Sequence, residues 1–173
     1  MSAHRFHPTI LRAYDIRGIF EDTLTTEDAF AIGLSFISIQ KQRGLGNEVT
    51  VGRDGRLSSP ALAAALIDGL VAGGAQVSDI GCGPTPMLYF AAHELGSGGA
   101  IQVTGSHNPP THNGFKMVMG GLSFFGADIE ELGRVSAAGP DHTDDGGVVS
   151  RAIEEAYVDR LAAGAVATGL SVI

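Results

Sequence analysis

Segments typical of strands and of helices alternate along the chain from about residue 26 to residue 104. The hydroxyl and acidic side chains of Thr25–Asp28 predict a helix start, and apolar residues at helical spacing follow it as far as Gly44. The next predicted elements are a strand at 48–53, a helix from 59 to 73, a strand at 75–80, a helix from 86 to 96 and a strand at 100–103. Such alternation predicts an α/β fold, with helices packed on a largely parallel sheet.

The connection that follows residue 103 departs from this pattern. It contains Pro109-Pro110 and is too short for a crossover helix, so we expect the strands at 100–103 and 114–119 to be antiparallel neighbours. The remaining predicted elements are helices at 128–135 and 153–161 and an acidic, turn-rich loop at 139–147. The sequence therefore predicts a three-layer α/β/α domain with a mixed, mostly parallel sheet.

Composition narrows the class of protein. The chain has 173 residues, 44% of them hydrophobic, which suffices for the core of one domain. The net charge is −8, and residues 61–173 hold four basic against twelve acidic side chains. The absence of a basic stripe disfavours nucleic acid and anionic membranes as partners. With one cysteine, Cys82, and no signal-peptide pattern, we expect a cytoplasmic protein.

The most informative loop is Thr104–Pro110, which follows a buried strand. Gly105 permits an unusual backbone conformation there, two prolines stiffen the loop, and Lys116 lies on the next strand. A serine presented in this setting, Ser106, indicates a nucleophile or an anion site.

Two plainer interpretations of this loop stay open. Its residues all favour turns, so the segment could be a turn alone. Ser106 and His107 could also be a hydrolase pair, although adjacent side chains of an extended segment point apart. The G-x-S-x-G motif of hydrolases is missing because Asn108 stands where the second glycine belongs.

Two arginine-bearing segments are candidates for holding phosphate. Arg12–Gly18 contains two arginines and Tyr14, and guanidinium groups match phosphate oxygens in pairs. In Gly52–Ser59 the arginines precede a helix N-terminus, which itself attracts anions. The alternatives are a surface ion pair of Asp15 in the first segment and simple loop solvation in the second.

Four motifs occur in order: Arg12–Gly18, Gly52–Arg56, Thr104–Pro109 and Asn113–Lys116. In this combination the chain resembles the first domain of the α-D-phosphohexomutases, most of all the bacterial phosphomannomutase/phosphoglucomutase branch. The resemblance covers about residues 10–120 and implies that hexose 1-phosphate and hexose 6-phosphate are interconverted through a bisphosphorylated sugar.

The resemblance also implies a role for each matching residue. Ser106 would be the phosphoserine, and Arg17 and Lys116 would contact phosphoryl oxygens, with Lys116 also a candidate general acid or base. Tyr14 would line the sugar site, and His107 and Asn108 would shape the loop around the phosphoserine. The implied cofactors are Mg²⁺, bound through the phosphate of Ser106, and hexose 1,6-bisphosphate as activator.

The chain departs from the family in length more than in its motifs. Leu11 stands where Phe is frequent and His112 where an aromatic residue is frequent, but neither change removes a charge. Family members have further domains that carry the Asp-Gly-Asp-Gly-Asp metal run and sugar recognition, and no such run occurs here. We therefore expect residues 1–150 to be domain I and residues 151–173 a linker helix and the opening strand of a second domain. Such a fragment would need the remaining domains of its parent chain for activity.

Two other functions remain open from the sequence. One is a phosphoglucosamine mutase domain, because the residues that distinguish the sugars lie in another domain of the family. The other is a stand-alone domain that binds a sugar phosphate or a partner protein and catalyses nothing.

Overall fold

The computed structural model describes residues 3–143 and 145–164. Strands and helices alternate through most of this length, as the sequence predicts. In chain order the elements are β1 Ile16–Ile19, α1 Thr26–Gln42, β2 Glu48–Arg53, α2 Ser59–Ala72, β3 Gln76–Cys82, α3 Thr85–Glu94, β4 Gly99–Val103, β5 His112–Met119, β6 Leu122–Ser123, α4 Ala127–Ala138, β7 Gly147–Ser150 and α5 Glu154–Gly164.

The strands form one mixed sheet in the order β1-β5-β4-β2-β3-β7, with β6 paired to β5. The strand β2 is parallel to β3 and β4, and β3 is parallel to β7. The strand β5 is antiparallel to β1, β4 and β6, so among the described strands it alone runs in the opposite direction. The mixed, mostly parallel sheet is confirmed, as is the antiparallel pairing of β4 with β5.

Apolar side chains fill both faces of the sheet. The larger core joins the sheet to α1, α2 and α4 through residues such as Phe36, Leu66 and Leu132. The smaller core packs Leu88 of α3 against Ala100 of β4, and Tyr157 of α5 packs against it. Because helices cover both faces, the domain has the predicted α/β/α layers. Among the described residues, no helix is both long and apolar enough to cross a membrane.

The helices begin close to the predicted residues, and their N-termini differ in capping. The side chain of Thr25 accepts from the backbone N–H of Asp28, and Asp28 accepts from the backbone N–H of Thr25, which is a capping box. For α2 the residue before the helix is Ser58, and it makes no side-chain cap. The hydroxyl of Ser59 donates instead to Asp54 at 2.5 Å.

The two edge strands of the sheet were not predicted from the sequence. β1 begins inside the candidate phosphate-binding segment Arg12–Gly18 and extends one residue beyond it. β7 is four residues long, with Val148 and Val149 exposed. Such short strands depend on their pairing with a neighbour, which local sequence patterns do not encode. The strand predicted at 169–173 lies outside the described residues.

Helices α1 and α2 pack with their backbones in close approach at two glycines. A Cβ atom at Gly33 would overlap the carbonyl oxygen of Leu66, and one at Gly69 would overlap the carbonyl oxygen of Phe30. Any larger residue at either position has to push the helices apart.

We therefore predict that Gly69→Ala lowers the free energy of unfolding by about 1–3 kcal/mol, although alanine favours a helix by about 1 kcal/mol over glycine. The measurement is urea unfolding followed by circular dichroism. Gly55→Ala is the matched control, because a Cβ at Gly55 meets no atom within 4 Å. Equal stability of the two variants would contradict the close packing of α1 on α2.

Candidate functional site

Three polar loops meet where parallel strands end. The backbone N–H of Asp54, after β2, donates to the carbonyl of Val103 at the end of β4, at 2.9 Å. The N–H of Gly83, after β3, donates to the carbonyl of Arg53, also at 2.9 Å. The carboxyl ends of parallel strands are where α/β sheets bind ligands, so this edge is the candidate site.

Ser106 is exposed in the loop that leaves β4. Its φ angle is 53°, a left-handed conformation that costs a residue with a Cβ on the order of 1–3 kcal/mol. The N–H of Ser106 donates to the hydroxyl of Thr104 at 2.9 Å, and its Oγ lies 3.4 Å from His107 Nδ1. The expectation that these neighbouring side chains point apart is wrong, because the left-handed turn replaces the extended backbone on which it rested.

Arg56 is the residue that holds this loop in place. Its NH1 group donates to the carbonyls of Pro109 at 2.6 Å and His112 at 3.0 Å, and its NH2 group to those of Ser106 at 2.9 Å and Asn108 at 2.7 Å. The anion site and the simple solvation weighed for the arginines of Gly52–Ser59 are therefore both wrong for Arg56. Its NH1 and NH2 groups donate to the protein backbone, which a sequence motif cannot reveal.

The carboxylate of Asp54 lies between Arg56 and the loop. It accepts from the hydroxyl of Ser59, from the backbone N–H of Arg56 at 3.1 Å and from the N–H of Gly105 at 3.1 Å, and it pairs with Arg56 Nε at 3.3 Å. Burial raises the pKa of Asp54, but hydrogen bonds from Ser59, Arg56, Thr104 and Gly105 outweigh it, and the pKa lies below its usual value. Asp54 therefore stays ionised at neutral pH.

The two predicted phosphate-contacting cations lie on one face of the sheet. Arg17 of β1 is opposite Gly114 of β5, and Lys116 follows two residues later on the same face. Arg17 is buried and forms an ion pair with Asp15. The ion pair considered in the sequence analysis is therefore present, but it is largely buried and does not lie on the surface. Lys116 is half-buried and, within the described part of the chain, makes no hydrogen bond or ion pair.

Tyr14 is 82% exposed, and an aromatic neighbour that the motifs did not identify lies beside it. The rings of Tyr14 and Phe125 stack with their centroids 6.4 Å apart. The N–H of Gly126 donates to the carbonyl of Ala13 at 2.8 Å, which ties the two segments together. Phe125 follows a strand of only two residues, and no local pattern places it next to Tyr14.

The two asparagines of the motifs have different surroundings. Asn113 is fully buried, and its Nδ2 donates to the hydroxyls of Ser58 at 2.8 Å and Ser59 at 2.9 Å, which joins the start of β5 to the start of α2. Asn108 has a buried Nδ2 without a partner among the described residues. Buried polar groups in folded proteins usually have a hydrogen-bond partner, so this donor is an exception.

The described residues contain no group of three or more His, Cys, Asp or Glu side chains that could hold a metal ion. A phosphate on Ser106 would offer oxygen ligands of the kind that Mg²⁺ prefers, but the rest of a coordination shell is not found in 3–143 or 145–164. The predicted metal ligation through Ser106 therefore stays a prediction.

Comparison with known proteins agrees with the motif order. A family model described as "Phosphoglucomutase/phosphomannomutase, alpha/beta/alpha domain I" matches residues 8–138. A phosphomannomutase/phosphoglucomutase of Pseudomonas aeruginosa is 52% identical over 124 residues, which cover 72% of this chain and 27% of that protein. A phosphomannomutase of Salmonella typhimurium is 36% identical over 159 residues, covering 88% of this chain and 34% of that protein.

A solved structure gives the same answer for the fold. The crystal structure of a phosphoglucomutase/phosphomannomutase family protein from Burkholderia thailandensis superposes with a TM-score of 0.86 at 41% identity. The match covers 91% of this chain and 36% of that one. The chain thus spans between about a quarter and a third of the length of these relatives.

The low pKa of Asp54 predicts how the loop responds to acid. The ionised Asp54 carboxylate stabilises the folded state, and this contribution is complete above the usual aspartate pKa of about 3.9. It is lost as the pH falls through the lower pKa that Asp54 has in the folded state. NMR titration of the Asp54 carboxyl carbon and the Gly105 amide should give one common midpoint below about 3.9. In Asp54→Asn the Gly105 amide should show no such step. A midpoint at or above the ordinary aspartate value would refute the hydrogen-bonded carboxylate.

Proposed function

Since the chain belongs to the phosphoglucomutase/phosphomannomutase family as its α/β/α domain I, we propose that it carries the phosphoserine of a hexose-phosphate mutase. The reaction is the interconversion of hexose 1-phosphate and hexose 6-phosphate. The observation that carries this proposal is the presentation of Ser106, whose exposed hydroxyl lies on a left-handed turn fixed from below by Arg56.

Each half of the proposed reaction moves one phosphoryl group. The bond between Ser106 Oγ and phosphorus breaks, a bond from phosphorus to the free sugar hydroxyl forms, and the hydroxyl proton passes to a base. The bisphosphorylated sugar then turns over, and Ser106 Oγ takes the other phosphoryl group while the sugar oxygen recovers a proton. After the two halves Ser106 is phosphorylated again, and the phosphate has changed its position on the sugar.

The cations on the sheet face fit this chemistry. Phosphoryl transfer depends on in-line positioning and on positive charge around the transferred oxygens. We assign that charge to Arg17 and Lys116, with Lys116 also the candidate proton carrier. Tyr14 is assigned to the sugar site, and His107 and Asn108 to the shape of the loop around the phosphoserine.

Parts of the proposed enzyme lie beyond this domain. A bound Mg²⁺ would supply charge stabilisation at the phosphate of Ser106, with its other ligands outside the described residues. Hexose 1,6-bisphosphate would restore the phosphoserine when it is lost. We assign residues 1–150 to domain I and 151–173 to the connection with the next domain, and place the enzyme in the cytoplasm.

The first test replaces the nucleophile in the full-length product of this gene. Ser106→Ala should abolish mutase turnover, by a factor of at least about 10⁴, because no other group can carry the phosphoryl. The melting temperature should be unchanged. Ser123→Ala, at an exposed serine of β6, is the matched control and should retain normal turnover. Retained activity in Ser106→Ala would overturn the assignment.

The second test uses the 173-residue chain by itself. It should bind hexose phosphates weakly and show no steady conversion of glucose 1-phosphate, because sugar and metal recognition need groups outside it. A coupled assay for glucose 6-phosphate measures this. Sustained turnover by the isolated chain would show that the domain is self-sufficient. Saturable binding by a full-length gene product that never exchanges phosphate would favour the stand-alone binding domain.

A further inference from the structure

The guanidinium of Arg56 donates to four backbone carbonyls, three in the loop that follows β4 and one in the first residue of β5. They are the carbonyls of Ser106, Asn108, Pro109 and His112, at 2.6–3.0 Å. A carbonyl oxygen carries partial negative charge, so each one directed at Arg56 is unavailable to repel an anion held by the loop. These carbonyl oxygens therefore all face one cation, the guanidinium of Arg56.

The backbone N–H groups of the same loop do not share one partner. Gly105 N–H donates to Asp54, Ser106 N–H to Thr104, and Asn108 N–H to the carbonyl of Gly105 at 3.0 Å. The N–H of His107, next to Ser106, has no protein partner among the described residues. A backbone N–H beside the serine is the kind of donor that binds phosphate oxygens.

The backbone of Gly105 lies in close contact with the side chain of Arg56. A Cβ atom at Gly105 would overlap the guanidinium carbon and two of its nitrogens. Glycine at this position therefore lets the loop backbone lie directly on the plane of the cation. A lysine at 56 could not replace it, because an ammonium is a point donor and lacks the planar fork that reaches four carbonyls.

We propose that Arg56 is a positioning residue for the phosphoserine: it holds Ser106 in its left-handed conformation and directs the loop carbonyls away from the phosphoryl group. The proposal rests on the proposed function only in taking Ser106 as the phosphorylated residue. It assigns to Arg56 no contact with the sugar phosphate. Arg56 acts through the loop backbone, and it favours the dianionic form of the phosphoserine.

The test installs phosphoserine at position 106 of the chain by genetic encoding, so that it does not depend on mutase activity. Phosphorus NMR then gives the second pKa of the phosphoserine in the parent, in Arg56→Lys and in Arg43→Lys. Arg43 is the matched control, since it also binds two partners, Asp128 and Glu131, at the end of α1. Hydrogen exchange of the Gly105, Asn108 and His112 amides is measured on the same samples.

In Arg56→Lys the second pKa of the phosphoserine should rise, because released carbonyls disfavour the dianion while the positive charge is retained. Exchange protection of the loop amides should fall at least about tenfold. Arg43→Lys should match the parent in both. A residue that served stability alone would lower the melting temperature and leave the phosphoserine titration unchanged, and that result would overturn the proposal.

If Arg56→Lys fails to fold, Gly105→Ala serves as the second variant, because it displaces the loop from an intact Arg56. The same rise in pKa is expected, and an unchanged titration would count against the proposal. In the full-length protein, Arg56→Lys should lower kcat more than it raises KM. Absence of turnover in the full-length parent would refute the proposed function, while the phosphorus titration would still decide the role of Arg56.

Discussion

The conformation of the Ser106 loop depends on one half-buried guanidinium, that of Arg56, which donates to four carbonyls and pairs with Asp54. A left-handed serine is unfavourable by itself, on the order of 1–3 kcal/mol. The hydrogen bonds that Arg56 and Asp54 make to the loop backbone offset that cost. The Ser106 hydroxyl is thus presented to solvent on a loop whose backbone is held by hydrogen bonds.

The sheet supplies the rest of the site. β2, β3 and β4 are parallel neighbours, so the loops that follow them leave from one edge. The reversal of β5 then places Lys116 on a strand between β4 and β1, on the same face as Arg17. One antiparallel strand in a mostly parallel sheet therefore gathers the serine loop and two cations without any long connection.

Much of this arrangement could be predicted from the sequence. The capping box at Thr25–Asp28, the apolar strand runs and the short 105–113 connection are local signals, and they predicted the layers and the β4–β5 pairing correctly. Arg56 was misassigned because a motif gives residue types and not partners, and the four carbonyls to which it donates lie 50 or more residues away in sequence. Phe125 was missed for the same reason: its contact with Tyr14 exists only in the folded chain.

In the working protein Ser106 should carry phosphate, and phosphopeptide mapping together with the intact mass measures this without an activity assay. The protein is purified from its own cells and analysed without exposure to phosphatase. We expect one phosphate, located on Ser106, and its loss when hexose phosphate is added in excess without bisphosphate. An active mutase with unmodified Ser106, or with its phosphate on another residue, would contradict it.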